Sequence, residues 1–184
     1  MRLGVKPKSV TREDYLYSTL FDMVKPSIAV WFKCYNEPDW IYQVRTEAGL
    51  KNGIKAVDKL TWEIHEMRKK EVMKHISNEW VLFGAYFEIA DWIGHTLYSD
   101  VDGLMRTYFE LDKLARELKR MVPKDTLFLI ISDHGMQPNE DGITGDHSDR
   151  AFWSINADLN PGFRGYNGCT LFYIGNVGTK GIER

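Results

Sequence analysis

Residues 79–89 read EWVLFGAYFEI and residues 126–132 read TLFLIIS, two runs that are almost entirely apolar, β-branched or aromatic. Runs of this composition predict strands that are covered on both faces. Between them, residues 102–121 repeat apolar side chains at three- and four-residue steps, which predicts an amphipathic helix. A strand, a long helical crossover and a second strand indicate parallel pairing. The sequence therefore predicts an α/β fold with a mainly parallel sheet flanked by helices.

The residues before the first of these strands predict three further elements. Residues 52–77 carry apolar side chains at helical spacing between Lys and Glu, which predicts a second amphipathic helix. Residues 27–35, SIAVWFKCY, predict a buried strand, and residues 12–23 favour a short helix. Because residues 1–26 are polar and broken by prolines, we interpret them as an N-terminal arm or cap.

The residues after the second strand are richer in glycine, asparagine and aspartate. This composition predicts a loop at residues 137–149, followed by strands at residues 151–156 and 169–174. Residues 27–184 are therefore assigned to one α/β portion of a domain.

Composition limits the classes of function. The hydrophobic fraction of 43% and the charged fraction of 27% are those of a globular protein that folds, not of a disordered chain. The formal net charge of -2 and the pI near 6.2 favour neither nucleic-acid binding nor attraction to an anionic membrane. Any affinity for phosphate is therefore expected to come from a local group of residues rather than from the overall charge.

Cysteine usage and hydropathy point to a reducing compartment. Cys34 and Cys169 form no regularly spaced set, so neither a disulfide framework nor a cysteine-rich zinc site is indicated. No signal-peptide pattern and no apolar run of about 18 residues are found. We therefore expect a cytoplasmic protein that is not embedded in a membrane.

Three polar motifs follow the predicted strands. Asp91 and His95 come after the first strand, Asp133 and His134 come directly after the second, and His147 lies in the next loop. Ligands of open α/β sheets bind outside the carboxyl ends of the strands. Carboxylate oxygens and imidazole nitrogens are ligands that zinc, manganese and iron accept, and their use without cysteine is typical of hydrolytic sites. The motifs therefore predict a metal-binding site.

The spacing within the motifs allows this convergence. Asp91 and His95 are four residues apart, so one helical turn places both on one face. Asp133 and His134 are adjacent and would point to opposite faces of a regular strand, so they converge only where the strand breaks. Gly135 permits that break.

Each of these residues also has an ordinary explanation. Asp91 could cap the following helix, and His147 could be a hydrogen-bonded loop residue. His65 and His75 lie among Lys and Glu in a predicted helix and are interpreted as solvated. Cys34 is interpreted as a buried structural thiol rather than as a nucleophile.

The motifs together resemble a known family. DWIGH at residues 91–95, ISDHGM at residues 131–136 and GDH at residues 145–147 resemble the alkaline phosphatase superfamily, specifically its nucleotide pyrophosphatase and type I phosphodiesterase branch. The resemblance covers residues 79–156 and implies an alkaline-phosphatase-like fold. It implies two divalent metal ions, with zinc expected and manganese or iron as alternatives.

The resemblance also implies how the ligands divide between the two ions. Asp91, His95 and His147 would hold one ion, and Asp133 with His134 would help to hold the other. Asp112, in the predicted helix between the first two motifs, is taken as structural.

The resemblance implies metal-dependent hydrolysis of phosphodiester or nucleotide pyrophosphate bonds in a small-molecule substrate. Family members begin with a strand that ends in an aspartate ligand, followed by a Thr or Ser nucleophile, and neither is identifiable before Asp91. Ser9 and Thr11 lie in a basic segment without a predicted strand, so the catalytic nucleophile is unassigned. The chain thus resembles the C-terminal half of such a domain, with another chain or an N-terminal half completing the site.

Two alternatives remain open. Loss of the nucleophile would leave a non-catalytic metal-binding remnant or interaction module of the same superfamily. A phosphomutase or phosphotransferase would share the metal ligands but would need a recognisable phosphosugar or phosphoglycerate pocket.

Overall fold

A computed structural model describes residues 10–158 and 174–176 of the chain. The helices in this part are a short 3-10 helix Arg12–Asp14, α1 Leu20–Met23, α2 Trp40–Asn52, α3 Ile54–His75, α4 Ile89–Leu97 and α5 Val101–Met121. The strands are β1 Ser27–Val30, β2 Leu82–Ala85, β3 Thr126–Leu127, β4 Leu129–Ile131, β5 Gly135–Pro138, β6 Gly145–Ser148, β7 Trp153–Ile155 and β8 Ile174–Asn176.

The described strands form one four-stranded sheet and two pairs. The larger sheet has the order β1-β2-β8-β3, in which β1 and β2 are parallel while β8 runs antiparallel to both of its neighbours. Strand β4 pairs with β7, and β5 pairs with β6, both in antiparallel fashion. Strand β2 of the parallel pair leads to α4, which carries the first metal-ligand motif.

The main hydrophobic core lies between this sheet and the two long helices. Val30 and Phe83 from the parallel strands pack with Val72 of α3 and with Leu114 and Leu118 of α5. All five are buried. Burial of such side chains contributes about 1.5–3 kcal/mol each. The helices therefore hold the two strands, and the loops that follow them, in a defined position.

Local sequence explains where the helices begin and end. Gly53 separates α2 from α3 with a φ of 73°, a left-handed conformation that glycine adopts without steric cost. The carboxylate of Asp100 caps α5 by accepting a hydrogen bond of 3.0 Å from the backbone nitrogen of Gly103. Pro123 follows the last turn of α5, where it cannot continue the helix.

The helices predicted at residues 52–77 and 102–121 are confirmed as α3 and α5. Helix α2 was not predicted, because its apolar side chains form no continuous stripe. Ile41 is buried, whereas Trp40 and Tyr42 on either side of it are exposed. Tertiary packing thus stabilises this helix more than the spacing of its apolar residues does.

The expectation of a mainly parallel sheet is not confirmed. Among the described strands one pair, β1 and β2, is parallel. The difference arises because β8, from late in the chain, lies between β2 and β3 and pairs with each in the opposite direction. The sequences of β2 and β3 do not indicate that a strand from a distant segment lies between them.

Two further segments differ from the expectation. The run at residues 126–132 divides at Phe128 into β3 and β4, which join different sheets. The segment predicted as a loop at residues 137–149 contributes to the hairpin β5–β6. Its glycine and aspartate content is typical of loops, but backbone hydrogen bonding stabilises the pairing.

The remaining predicted strands have mixed outcomes. The strand at residues 151–156 is confirmed as β7, and the strand at residues 27–35 ends early, at Val30. Of the strand predicted at residues 169–174, residues 169–173 lie outside the described residues. No helix in the described part of the chain combines the length and the apolar character needed to cross a membrane.

Two side-chain environments correct the sequence interpretation. His65 is buried, 3% exposed, and its ring packs edge-on against Trp62 and Phe87. Its neighbours in the sequence are charged, but its own side chain faces inward. Cys34, expected to be buried, is exposed in a turn with a φ of 59°.

Candidate metal centre

Helix α4 carries the first motif. The helix begins just after Glu88, and Ile89 and Ile93 anchor it in the protein interior. Asp91 lies in the first turn, where a negative charge interacts favourably with the helix dipole. His95 follows one turn later on the same face, so that its Nε2 lies 3.3 Å from Asp91 Oδ1. The structure thus brings Asp91 and His95 together on one turn of the helix.

The hairpin β5–β6 brings the third motif to this face. His147 lies on β6 opposite Met136 of β5. Its Nε2 is 3.2 Å from Asp91 Oδ1 and 2.9 Å from His95 Nε2. The hairpin approaches α4 so closely that a Cβ atom on Gly145 would lie 2.6 Å from the carbonyl oxygen of Gly94. Glycine at this position thus allows His147 to reach the helix.

Asp133 and His134 occupy the break between β4 and β5. His134 Nε2 lies 3.7 Å from Asp91 Oδ1 and 3.6 Å from Asp133 Oδ1. The imidazole of His134 stacks on that of His147, with ring centroids 3.6 Å apart. The strand break therefore turns His134 towards the first motif, while the Asp133 side chain is more than half exposed. Asp91, His95, His134 and His147 thus lie together, and Asp133 adjoins them through its contact with His134.

Hydrogen bonds to backbone carbonyls orient two of the imidazoles. His95 Nδ1 donates to the Gly145 carbonyl over 2.8 Å, and His134 Nδ1 donates to the Gly135 carbonyl over 3.0 Å. A carbonyl oxygen can only accept, so each Nδ1 carries a proton, and the neutral form of each ring presents the lone pair of its Nε2. Histidine ligands of metal ions are typically held in this way through their second nitrogen.

The donor set fits a divalent cation. One carboxylate oxygen of Asp91 and one nitrogen each of His95 and His147 lie within 4.8 Å of one another. Two imidazole nitrogens and one carboxylate oxygen form a ligand set that zinc accepts in catalytic sites, with a fourth position left open. These residues are partly exposed, so a small molecule can approach the cluster from solvent.

The electrostatic environment of the cluster is negative. Burial, and then the charges of Glu88, Asp91 and Asp133, raise the pKa of the nearby Tyr86 phenol, which therefore stays neutral at pH 7. The carboxylates of Asp91 and Asp133 are the part of this charge that would attract a cation to the cluster.

A second group in the described part of the chain has ligand atoms at comparable spacing. It consists of His65, Glu66 and Glu110. The ammonium of Lys69 bonds to both of these carboxylates and already supplies a positive charge there. We therefore assign the candidate metal centre to the cluster around Asp91.

Three charged residues beneath the centre were not singled out from the sequence. Arg45, Arg68 and Glu88 are buried, and each arginine forms an ion pair with Glu88. A signal for them was present, since Glu88 interrupts an apolar run and Arg68 falls on the apolar stripe of α3 between Ile64 and Val72. Buried charges are rare unless they are paired, so such interruptions indicate a network.

The proposed hydroxyl nucleophile is not located by the structure. Ser9 lies outside the described residues, and the Thr11 hydroxyl donates to Asp14 in the first short helix. Asp112 forms an exposed ion pair with Arg116, which agrees with a structural interpretation.

The fold and the cluster define a class, an α/β protein with potential metal ligands at the end of a parallel strand pair. The profile of the type I phosphodiesterase / nucleotide pyrophosphatase family matches residues 9–152, which include all five motif residues. The chain belongs to this family. The match begins well before residue 79, so it covers more of the chain than the motifs alone indicated. Membership supports phosphate-ester hydrolysis as the general chemistry. No curated protein and no solved structure gave a significant match.

Proposed function

We propose that the chain takes part in metal-dependent hydrolysis of phosphate esters, with phosphodiester or nucleotide pyrophosphate bonds as the substrates. The observation that carries the proposal is the convergence of Asp91, His95 and His147, whose ligand atoms lie within 4.8 Å of one another. Family membership supplies the reaction class.

In this proposal the five motif residues hold two divalent ions, zinc in the first instance and manganese or iron as alternatives. Asp91, His95 and His147 hold one ion, and Asp133 and His134 contribute to the other. When bound, divalent ions polarise phosphoryl oxygens and offset the negative charge that develops during in-line displacement.

The chain's own residues prepare the centre. The Gly145 carbonyl fixes the proton of His95 on Nδ1, so that Nε2 faces Asp91. Partial exposure of His147 and Asp133 leaves room for a phosphate ester beside the cluster. The nucleophile is assigned to no residue of this chain, and we propose that another chain or an N-terminal half supplies it.

The test combines metal content with turnover. After incubation with zinc or manganese and removal of free metal, elemental analysis should show less bound metal in Asp91→Ala and in His134→Ala than in the wild type. Asp112→Ala serves as a control, because that carboxylate lies in an exposed ion pair on α5. Unchanged metal content in both site variants would contradict the proposal.

Hydrolysis of bis-p-nitrophenyl phosphate distinguishes a hydrolase from a non-catalytic metal-binding module. Metal-dependent turnover that disappears in Asp91→Ala supports the hydrolase. Stoichiometric metal binding without turnover, in the presence of any chain that completes the site, would instead indicate the non-catalytic binding module.

A further inference from the structure

Arg68 connects the ends of the two parallel strands. Its side chain is 1% exposed and leaves α3 towards the sheet. One nitrogen, Nη1, donates to the carbonyl of Trp31, just after β1, over 2.6 Å, and to the carbonyl of Tyr86, just after β2, over 2.8 Å. Both strand ends are thus bonded to one planar, rigid group.

The other nitrogen of the same guanidinium reaches two carboxylates. Arg68 Nη2 donates to Glu37 Oε1 over 2.7 Å and to Glu88 Oε1 over 3.0 Å. Glu88 immediately precedes α4 and stands three residues before the metal-ligand candidate Asp91. Arg68 therefore joins the two strand ends to the start of α4, the helix that carries two of the five predicted ligands.

Glu88 is also bonded from two other directions. Its Oε1 accepts from Arg45 Nη1 of α2 over 2.6 Å, and its Oε2 accepts from Trp92 Nε1 over 3.2 Å. The guanidinium of Arg45 in turn lies 4.5 Å from the centre of the Trp92 ring. The first turn of α4 is thereby attached to both α2 and α3 by charged groups.

The buried charges of this network compensate one another. Burial alone would raise the pKa of Glu88, but the adjacent Arg45 and Arg68 guanidinium groups outweigh it and lower the pKa. The carboxylate is therefore ionised. Removal of one partner would leave a buried charge uncompensated, so the arrangement is sensitive to each member.

The backbone at Trp31 is held in an unfavourable conformation. Its φ of 44° lies in the left-handed region, which is rare for a bulky side chain. The Arg68 bond to its carbonyl and an edge-on contact with Trp40 keep it there. Strained backbone of this kind persists where the surroundings over-determine it, commonly beside functional sites.

We propose that Arg68 and Glu88 are positioning residues of the candidate metal centre, which hold the start of α4 against the two strand ends and so place Asp91 and His95 relative to His147. The inference rests on the proposed function. Neither residue contacts the cluster itself in the role of a ligand, and both act through the helix.

Zinc affinity measures this effect directly. The variants are Glu88→Gln, which keeps the shape and removes the charge, and Arg68→Lys, which keeps the charge and removes the planar fork. Competition with a chromophoric chelator should show an increase of about 10–100-fold in the zinc Kd of each, the usual effect of losing an outer-shell partner. The visible absorption of the cobalt-substituted protein should change as well, because the ligand geometry changes.

Val72→Ala is the matched control. Val72 lies one turn beyond Arg68 on α3, is fully buried and belongs to the main core, outside the ionic network. Its truncation should lower the stability while leaving the zinc Kd within about twofold of the wild-type value. An unchanged Kd in Glu88→Gln and Arg68→Lys, or an equal rise in Val72→Ala, would overturn the proposal.

Hydrogen exchange without metal separates this proposal from the proposed function. In Glu88→Gln the amides of α4 should exchange faster, while those of α5 keep their wild-type rates. If the wild type binds no zinc, the proposed function fails, and the exchange data still decide whether Glu88 holds the helix. Wild-type exchange throughout α4 in Glu88→Gln would refute the positioning role.

Discussion

At the scale of single residues, one oxygen atom organises the candidate centre. Asp91 Oδ1 lies within 3.7 Å of the Nε2 atoms of His95, His134 and His147. These three histidines differ from His65 in what surrounds them. Their rings are partly exposed, whereas the ring of His65, which also lies near a carboxylate, that of Glu110, is enclosed by aromatic side chains and α3.

The environment of His65 predicts a dependence of stability on pH. Burial, and then the charge of Lys69, lower the pKa of His65 below that of an unfolded histidine. The folded protein therefore resists protonation at this ring, and its stability is fully present above about pH 6.5 and falls as the pH drops towards the folded-state pKa.

Urea unfolding at pH 7 and pH 5 tests this prediction with His65→Phe, which keeps an aromatic ring between Trp62 and Phe87. The free energy of unfolding should fall less for the variant than for the wild type between the two pH values. The difference is limited to about 1.4 kcal/mol per pH unit for one proton. Equal losses in both proteins would show that His65 is not the group that titrates.

Gly145 and Gly94, the two glycines where the hairpin contacts α4, are expected to differ in how well they tolerate substitution by alanine. Gly145→Ala would place a Cβ atom 2.6 Å from the Gly94 carbonyl oxygen, a backbone atom that cannot move alone. We expect a loss of about 1–3 kcal/mol in the free energy of unfolding, together with weaker zinc binding, because the hairpin carries His147.

Gly94→Ala is the control for this substitution. Its Cβ atom would meet the flexible Met136 side chain at 2.8 Å, and that side chain can shift. Helix propensity adds about 1 kcal/mol in favour of alanine. Denaturant midpoints should therefore fall for Gly145→Ala and change little for Gly94→Ala. A larger loss at Gly94 would contradict the packing described here.

At the scale of elements, the helices were easier to predict than the strands. Helices α3 and α5 are long enough for a periodic stripe to stand out, and Asp100 and Pro123 mark the limits of α5. The hairpin β5–β6 was missed because its residues include Gly145 and Asp146, which are common in loops. Its pairing depends on backbone hydrogen bonds, which side-chain patterns do not report.

The cap of α5 gives a prediction at this scale. Asp100→Ala removes the acceptor for the Gly103 amide and should lower the free energy of unfolding by about 1 kcal/mol. Asp112→Ala on the same helix breaks the exposed ion pair with Arg116 and should change stability little. Chemical denaturation of both variants compares them, and equal effects would argue against the cap.

At the scale of the whole molecule, the structure brings Asp91, His95 and His147 together, whereas the mainly parallel sheet is not confirmed. The first two motifs could be recognised because their carboxylate and imidazole side chains follow predicted strands. The strand order could not be predicted, since β8 arrives from residues 174–176. The Arg68 network links α2, α3 and both strand ends, and its partners lie 18–37 residues from Arg68 in the sequence. Contacts between residues this far apart in the sequence cannot be read from local sequence patterns and are seen in the folded structure.

Metal binding predicts a change in global stability. A ligand that binds the folded state alone at 100 times its Kd stabilises that state by about 2.7 kcal/mol. For a chain of this size, zinc should therefore raise the Tm by roughly 5–11 °C. His147→Ala should abolish most of this shift, whereas Val72→Ala should retain it. An equal zinc shift in the His147 variant would place the ion elsewhere.

X-ray absorption at the zinc edge tests the central claim most directly, that Asp91, His95 and His147 share one ion. The zinc-loaded protein should show oxygen and nitrogen ligands at about 2.0–2.2 Å with an imidazole signature, and His147→Ala should lose part of that signature. A sulfur ligand at about 2.3 Å, or a spectrum that His147→Ala leaves unchanged while His65→Phe alters it, would contradict the account.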